Sequence, residues 1–306
     1  MALALACPSQ SGGQELSRTV RVSVENDYFD FWLPPDKRSD DNYTHGMRIG
    51  WDAIAVPAFA RAAICGKRAC GSTFEIGQEI YTPTDDAVLP IPGQRPYAGW
   101  LYARASAIAA SDRTRREVGV TLGVTGAPSL AAQTQEIFHH LITGFRTPLG
   151  WNQQLSAEPA IAVSASQTWL FSAPGSAGRW GDVAPAYHAE IGTLRTSVAV
   201  GGRMRTGLAL THPWLVDSHA RPWEAYVFVG GQTEAVGRDL FLDGNTFHRS
   251  VRVDHTPLVS TLERGIGVRL WRLGVEYRAV TSGREYRTGP PSHSFGGIGM
   301  VWSRGR

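Results

Sequence analysis

Apolar and polar residues alternate along most of this chain. Residues 20–25 read Val-Arg-Val-Ser-Val-Glu, and residues 118–125 read Val-Gly-Val-Thr-Leu-Gly-Val-Thr. A period of two indicates β-strands whose two faces meet different surroundings. The alternation predicts about twelve strands, near residues 18–26, 43–55, 72–82, 97–110, 115–125, 158–172, 182–193, 195–207, 222–236, 262–270, 272–282 and 294–302.

The distribution of charge between the two faces separates two β architectures. A soluble sandwich also alternates, but here charged residues occupy the face opposite the apolar side chains, among them Arg48, Asp52, Glu75, Glu79, Glu276 and Arg278. Polar residues inside and apolar residues outside are typical of a membrane barrel. No linker or change of composition divides the strands. We therefore predict an all-β fold: a single antiparallel transmembrane β-barrel of about 12 strands, spanning residues 18–306.

One segment departs from this alternation. Residues 128–144, PSLAAQTQEIFHHLITG, predict a short helix in an extracellular loop, with Ser129 as its N-cap and Gly144 as its end. Gln135 and His139 are four residues apart and therefore share one face of that helix. The packing side is expected to consist of Ile137, Phe138 and Leu141.

Composition indicates a folded chain and is compatible with a membrane barrel. Hydrophobic residues make up 42% of the chain and charged residues 19%, which excludes a disordered chain. The net charge is +3 and the basic residues are scattered, so a nucleic-acid partner is not expected. No window of 18 apolar residues occurs, which excludes a helical membrane span, but transmembrane strands need no such window. Residues 1–17 are expected to be the remainder of a secretory signal or a disordered N-terminus.

Two cysteines bracket a predicted turn. Cys65 and Cys70 enclose Gly-Lys-Arg-Ala, a spacing that permits a local disulfide in an oxidising compartment. A pair of free thiols fits the spacing equally well.

Polar residues gather at one end of the predicted barrel. If the first strand begins on the periplasmic side, the connections after strands one, three, five and eleven reach the extracellular rim. The first of these connections holds the acidic stretch 25–46, and the third holds Gln135 and His139. The other two hold Arg95 and Arg287. We therefore expect a functional site at that rim.

The residue types at this rim suit metal-assisted hydrolysis. By strand parity Asp27 and Thr44 are expected to face the lumen, and Asp27 supplies a carboxylate of the kind that calcium takes. His139 can act as a general base toward water, with Gln135 orienting it or the substrate. The plain alternatives are a solvated Asp/Asn-rich turn and a surface histidine. No Gly-x-Ser-x-Gly or His-Glu-x-x-His motif is present.

Several ordered blocks resemble one known family, the outer-membrane lipid A 3-O-deacylases. The resemblance extends over residues 20–302. It is carried by Asn26-Asp27, by 41–46 (Asp-Asn-Tyr-Thr-His-Gly), 78–83 (Gln-Glu-Ile-Tyr-Thr-Pro), 95–98 (Arg-Pro-Tyr-Ala), 123–126 (Gly-Val-Thr-Gly), Gln135-x-x-x-His139, 150–155 (Gly-Trp-x-x-Gln-Leu), Glu158-Pro159 and 285–289 (Glu-Tyr-Arg-Thr-Gly).

The resemblance implies a specific activity and site. Members are twelve-stranded outer-membrane barrels that use calcium and water to remove the ester-linked 3′ acyloxyacyl group of lipid A. The active-site positions carried over by motif are Asn26, Asp27, Thr44, Gln135 and His139, with Asp27 as the expected calcium ligand. Arg95 and Arg287 are expected to bind substrate. The chain departs from such barrels at its end, where Trp302 is followed by Ser-Arg-Gly-Arg.

The expected partners are therefore lipid A or lipopolysaccharide and the bacterial outer membrane, and we expect a monomer. Two other functions fit the same sequence features. One is a non-enzymatic channel or glycolipid-binding barrel that keeps the rim as a binding site. The other is a calcium-dependent outer-membrane phospholipase.

Overall fold

The computed structural model describes residues 15–31, 42–54, 65, 68–83, 89–143, 148–173, 179–216 and 221–304. The strands within them are β1 (Arg18–Asn26), β2 (Asn42–Ile54), β3 (Ala69–Thr82), β4 (Ala98–Ala110), β5 (Thr114–Thr125), β6 (Pro159–Trp169), β7 (Phe171–Ala173), β8 (Arg179–Gly192), β9 (Arg195–Leu210), β10 (Trp223–Asp239), β11 (Leu258–Leu270), β12 (Leu273–Gly283) and β13 (Ser292–Arg304).

The helical segments of the described residues lie between strands. The α-helices are α1 (Ala131–Phe138) and α2 (Leu240–Asp243), and a π-helix (His139–Thr143) continues α1. Single 3₁₀ turns occupy Asp27–Phe29, Ala127–Ser129 and Gly150–Gln153. In the described part of the chain, no helix is long and apolar enough to cross a membrane.

The strands form one closed antiparallel barrel. Apart from β6 and β7, successive strands pair with each other, β1 pairs with β13, and β6 pairs with β8. Only Leu170 separates β6 from β7, and both pair with β8 in one continuous register, from Thr168 opposite Ala186 to Phe171 opposite Val183. They therefore act as one strand of a twelve-stranded wall. The predicted fold class and strand number are confirmed.

The two faces of the wall are those of a membrane barrel. Arg48 forms ion pairs with Glu25 at 2.7 Å and with Glu79 at 2.6 Å inside the lumen. Arg203 on β9 reaches Glu276 on β12 at 2.7 Å, across two intervening strands. Apolar side chains remain exposed on the outer face, among them Val22, Met47, Ile76, Val120, Val163, Val200, Val229, Ile266 and Met300. This inverted pattern excludes the two-sheet sandwich.

Side chains from opposite sides meet across one mouth of the lumen. We call this end the upper rim; it carries the connections that follow β1, β3, β5, β8, β10 and β12. Phe241 of α2, which follows β10, stacks on Tyr81 of β3 with ring centroids 4.6 Å apart. In strand order β3 and β10 lie opposite each other. Phe241 also packs with Leu240, Leu155, Leu194 and Trp100 in a buried cluster.

The other mouth, at the lower rim, is obstructed in the same way. Trp214, between β9 and β10, donates its indole N–H to the carbonyl oxygen of Ser111, between β4 and β5, at 2.7 Å. Leu16, before β1, pairs with Leu215. These segments start from three well-separated points of the ring, so they meet over the lumen. Between the two mouths lies a cavity of about 1290 Å³ with many charged side chains on its wall.

Cys65 and Cys70 form a disulfide, with their Cα atoms 5.6 Å apart. Of the two states left open by the sequence, the structure has the oxidised one. The bond joins the connection between β2 and β3 to the first residues of β3, at the lower rim.

Candidate active site on the outer wall of the barrel

Helix α1 lies against the outer face of the wall. Gln78 and Gly99 belong to the outward-facing rows of β3 and β4, as the alternation of burial along both strands indicates. Gln78 donates its amide N–H to the carbonyl oxygen of Ser129 at 2.6 Å. A Cβ atom on Gly99 would lie 2.2 Å from that of Ala131, so only glycine allows the helix this close. The helix therefore flanks the barrel and does not overhang the lumen.

The inner face of α1 and the π-helix holds a polar pair, whereas large apolar side chains are exposed. Ala131, Gln135 and His139 are 1%, 1% and 2% exposed, whereas Ile137 and Leu141 are 59% and 70% exposed. The predicted packing side was therefore wrong for Ile137 and Leu141. The apolar side chains of a helix on the outside of a membrane barrel face lipid, so the usual polarity is inverted.

The helix ends also differ from the prediction. Ser129 lies in the preceding 3₁₀ turn and donates its hydroxyl to the carbonyl oxygen of Gly126 at 2.6 Å. Leu130, in the left-handed region at φ 60°, stands at the N-cap of α1 without a side-chain cap. The predicted N-cap was therefore displaced by one residue. The predicted end at Gly144 lies outside the described residues.

Gln135 and His139 form a buried polar pair, as their spacing predicts. Gln135 Nε2 lies 3.5 Å from His139 Nε2. Gln135 Oε1 accepts a hydrogen bond from the indole N–H of Trp151 at 2.8 Å. His139 begins the π-helix, a distortion that is frequent at functional sites.

Phe138 connects this pair to the first predicted motif. Its ring centroid lies 5.9 Å from that of Phe29 and 4.7 Å from that of His45. Phe29 belongs to the turn that starts at Asp27, and His45 is the β2 partner of Asn26. The structure thus brings together two motifs, residues 25–46 and 135–139, that are far apart in the sequence.

Asn26 holds the turn at the end of β1 in place. Its Oδ1 accepts a hydrogen bond from the backbone N–H of Tyr28 at 2.9 Å, and its Nδ2 donates to the carbonyl oxygen of Thr44 at 2.8 Å. Asp27 is buried within that turn. Because β1 ends at Asn26, strand parity no longer fixes the direction of the Asp27 side chain.

Thr44 does not face the lumen as predicted. A bulge between Tyr43 and His45 interrupts the register of β2 and β3. The Thr44 hydroxyl lies 2.6 Å from that of Thr82, which shares the outward face of β3 with Ile80. The bulge therefore puts Thr44 on the outer side, where α1 also lies.

Two buried carboxylates, Asp27 and Asp30, are the candidate metal ligands. Calcium takes six to eight oxygen ligands, including backbone carbonyls and water. Within the described ranges, no three His, Cys, Asp or Glu side chains group as a metal site. The residues fit calcium by ligand type, and a full shell would need oxygens beyond these two side chains.

Arg95 and Arg287 are in different surroundings. Arg95 is buried, pairs with Glu285 at 2.9 Å and lies over the ring of Tyr81. Burial alone would raise the pKa of Glu285, but His293 and Arg95 hold that pKa below its usual value. Arg287 is exposed, and its backbone N–H donates to the backbone carbonyl oxygen of Asp254 at 3.0 Å. Their assignment as substrate-binding residues stays a prediction, and the burial of Arg95 favours a role in holding the upper rim together.

The comparisons with known proteins agree with this architecture. The family model of the outer membrane protein LpxR matches residues 1–304. This chain belongs to the LpxR family. The solved structure of LpxR from Salmonella typhimurium matches this chain with a TM-score of 0.77 and 18% sequence identity. The match covers 93% of this chain and 99% of the Salmonella chain. At that identity the likeness shows the fold, and family membership gives the location, the outer membrane.

More distant barrels match over similar lengths. The β domain of the Bordetella autotransporter BrkA has a TM-score of 0.45 at 10% identity, covering 94% of this chain and 98% of that chain. A KdgM porin has a TM-score of 0.40 at 8% identity, covering 94% and 99%. Neither likeness is close enough to bear on function. No curated protein sequence matches the chain.

Two neighbours of the site in this LpxR-family chain were not predicted from the sequence. Trp151 bonds to Gln135, and Thr82 bonds to Thr44. Both lie in blocks that carry the family resemblance, 150–155 and 78–83. Membership in a block was therefore the available signal, but it did not indicate which side chain the residue contacts.

Proposed function

We propose that this LpxR-family protein is a calcium-dependent hydrolase that removes the ester-linked 3′ acyloxyacyl group from lipid A. The observation that carries the proposal is the buried Gln135–His139 pair between α1 and the outer wall. A base in that position is on the membrane side of the barrel. In the proposed function an acylated lipid of the outer leaflet approaches it from that side and does not enter the lumen.

In the proposed reaction His139 takes a proton from water as the water attacks the ester carbonyl. The neutral imidazole is suited to this role because its ordinary pKa is about 6.5. Gln135 orients the imidazole, and Asn26 holds the turn that carries Asp27. Calcium held by Asp27 would polarise the ester carbonyl and stabilise developing negative charge. No covalent acyl-enzyme is required.

The outer surface of α1 fits an acylated substrate. Leu130, Ile137 and Leu141 are exposed on this loop, beside the apolar outer face of the wall. Exposed apolar side chains make favourable contacts with acyl chains, whereas a site for a soluble ester would not require them. This supports a substrate that is held in the membrane.

Of the alternatives, the channel fits the geometry less well. A channel requires an open lumen, but Phe241 and Trp214 reach across its two mouths. A phospholipase would use the same base and the same access from the membrane. The choice between lipid A and phospholipid therefore rests on the family resemblance.

Mass spectrometry of lipids from Gram-negative cells with and without the protein tests the proposal. Loss of an acyloxyacyl unit from lipid A is the expected result. Loss of phospholipid acyl chains would indicate the phospholipase instead. Unchanged lipids, with the folded barrel present in the outer membrane, would contradict an enzymatic function.

A further inference from the structure

We propose that Tyr277 is a positioning residue: its hydroxyl ties the turn that carries Asp27 and Asp30 to the outer wall of the barrel. The last two strands, β12 and β13, thus provide the platform on which the candidate metal ligands rest. The tie itself is independent of the activity, whereas its effect on calcium rests on the proposed function.

The turn after β1 folds onto the outer wall because β13 has a glycine at that point. Gly296 pairs with Asn26, the last residue of β1, and shares the outward-facing row of β13 with Met300, which is exposed. A Cβ atom on Gly296 would overlap the carbonyl oxygen of Phe29. Only a residue without a side chain therefore leaves room for the turn in this position.

Tyr277 holds the same turn through two hydrogen bonds. It lies on β12, in the outward-facing row that includes the exposed Val275. Its hydroxyl donates to the carbonyl oxygen of Phe29 at 3.0 Å and accepts from the backbone N–H of Phe31 at 3.0 Å. These roles are fixed, because a carbonyl oxygen only accepts and a backbone N–H only donates. The Tyr277 ring also stacks on that of Phe31, with centroids 5.6 Å apart.

The turn is thus held from both sides. Its Phe29 ring contacts Phe138 of α1, and its backbone is bound to Tyr277. Asp27 begins this turn, and the buried Asp30 lies between the two residues that the Tyr277 hydroxyl binds. Calcium accepts oxygen ligands only over a narrow range of distances, about 2.3–2.6 Å. A turn that is held in place in advance therefore binds calcium more tightly than one that moves.

Hydrogen–deuterium exchange of the purified barrel in detergent micelles tests the tie. Tyr277→Phe keeps the ring that stacks on Phe31 and removes only the hydroxyl. Peptides covering residues 26–31 should exchange about tenfold faster in this variant, as expected for the loss of one to two hydrogen bonds, while peptides from β4 keep the wild-type rate. Tyr187→Phe, on the exposed outer face of β8, is the matched control. Gly296→Ala, which acts on the same turn from β13, should accelerate the same peptides. Wild-type exchange in either variant, folded as shown by heat-modifiable gel migration, would overturn the proposal.

Calcium titration separates a positioning role from a general loss of structure. By isothermal titration calorimetry, and in the calcium dependence of hydrolysis, Tyr277→Phe should require about tenfold more calcium for half-saturation. Excess calcium should then restore kcat to within about twofold of the wild type. A loss of kcat that calcium does not restore, together with wild-type calcium affinity, would overturn the proposal. If residues 26–31 exchange faster in Tyr277→Phe but the wild type binds no calcium, the tie stands and the proposed calcium-dependent function fails.

Discussion

Glu158 anchors the loop that follows β10, and its removal is expected to release that loop. Its carboxylate accepts hydrogen bonds from the backbone N–H of Thr246, at 2.9 and 3.1 Å from its two oxygens, and of Phe247 at 3.1 Å. The residue is 2% exposed. Burial alone would raise the pKa of Glu158, but these N–H donors hold that pKa below its usual value. The same loop includes α2, which covers the upper mouth.

The size of the effect follows from these contacts. A hydrogen bond to a charged group is worth about 1.5–3 kcal/mol. Glu158 accepts hydrogen bonds from two N–H donors, and the contributions of neighbouring bonds do not add fully. Glu158→Ala should therefore lower the local stability of the loop by roughly 2–4 kcal/mol. Glu158→Gln keeps one acceptor oxygen and should cost roughly 1–2 kcal/mol, or about a 5- to 30-fold increase in the open fraction of the loop.

The pH dependence has a definite sign. The folded-state pKa of Glu158 lies below its unfolded value of about 4.3. The stabilisation is therefore fully present above that pH and is lost as the pH falls through the lower folded pKa. The wild-type loop should loosen only in acid, whereas Glu158→Ala should be loose at every pH.

Hydrogen–deuterium exchange of peptides that cover residues 244–253 measures this directly. Exchange there should accelerate in Glu158→Gln, while peptides from β3 and β4 keep the wild-type rate. Glu136→Gln, an exposed glutamate on α1, is the matched control. Wild-type exchange in Glu158→Gln, or loosening of the wild-type loop well above pH 4.3, would refute the reasoning.

Three further perturbations probe the site and the lumen. His139→Ala should lose about 10² to 10⁴ in turnover while still folding, and exposed His140→Ala far less; greater sensitivity at His140 would assign the base to that residue. Asp27→Ala should abolish activity, and excess chelator should abolish the activity of the wild type. Activity that survives chelation would exclude a requirement for calcium. In planar bilayers the wild type should give no stepwise current and a Trp214→Ala, Phe241→Ala double variant should conduct; wild-type current would show that the mouths open.

The wall of the barrel was predictable because one physical rule governs all of it. Lipid outside and charge inside impose a period of two, and that period survives in sequence from β1 to β13. The bulge at Tyr43 and His45 is not visible in that period, since it adds a residue without changing the types on either side. It reversed the predicted direction of Thr44.

The orientation of the helix and the closure of the two mouths could not be predicted from the sequence either. Ile137 and Leu141 were assigned to the packing side because apolar residues pack inward in water-soluble helices, but this helix has lipid on its other side. Phe241 and Trp214 lie in connections, where period-two reasoning says nothing. Their contacts join loops from distant parts of the ring, and only the closed barrel brings them together.

Hydrolysis of purified lipid A by the purified protein tests the central claim most directly. The folded protein in detergent, with calcium, should convert lipid A to a product lacking the 3′ acyloxyacyl group and release an equal amount of the free acyloxyacyl acid, both identified by mass spectrometry. His139→Ala should form at least about 100-fold less product. Intact lipid A after prolonged incubation with the wild type, or equal product from His139→Ala, would contradict the account.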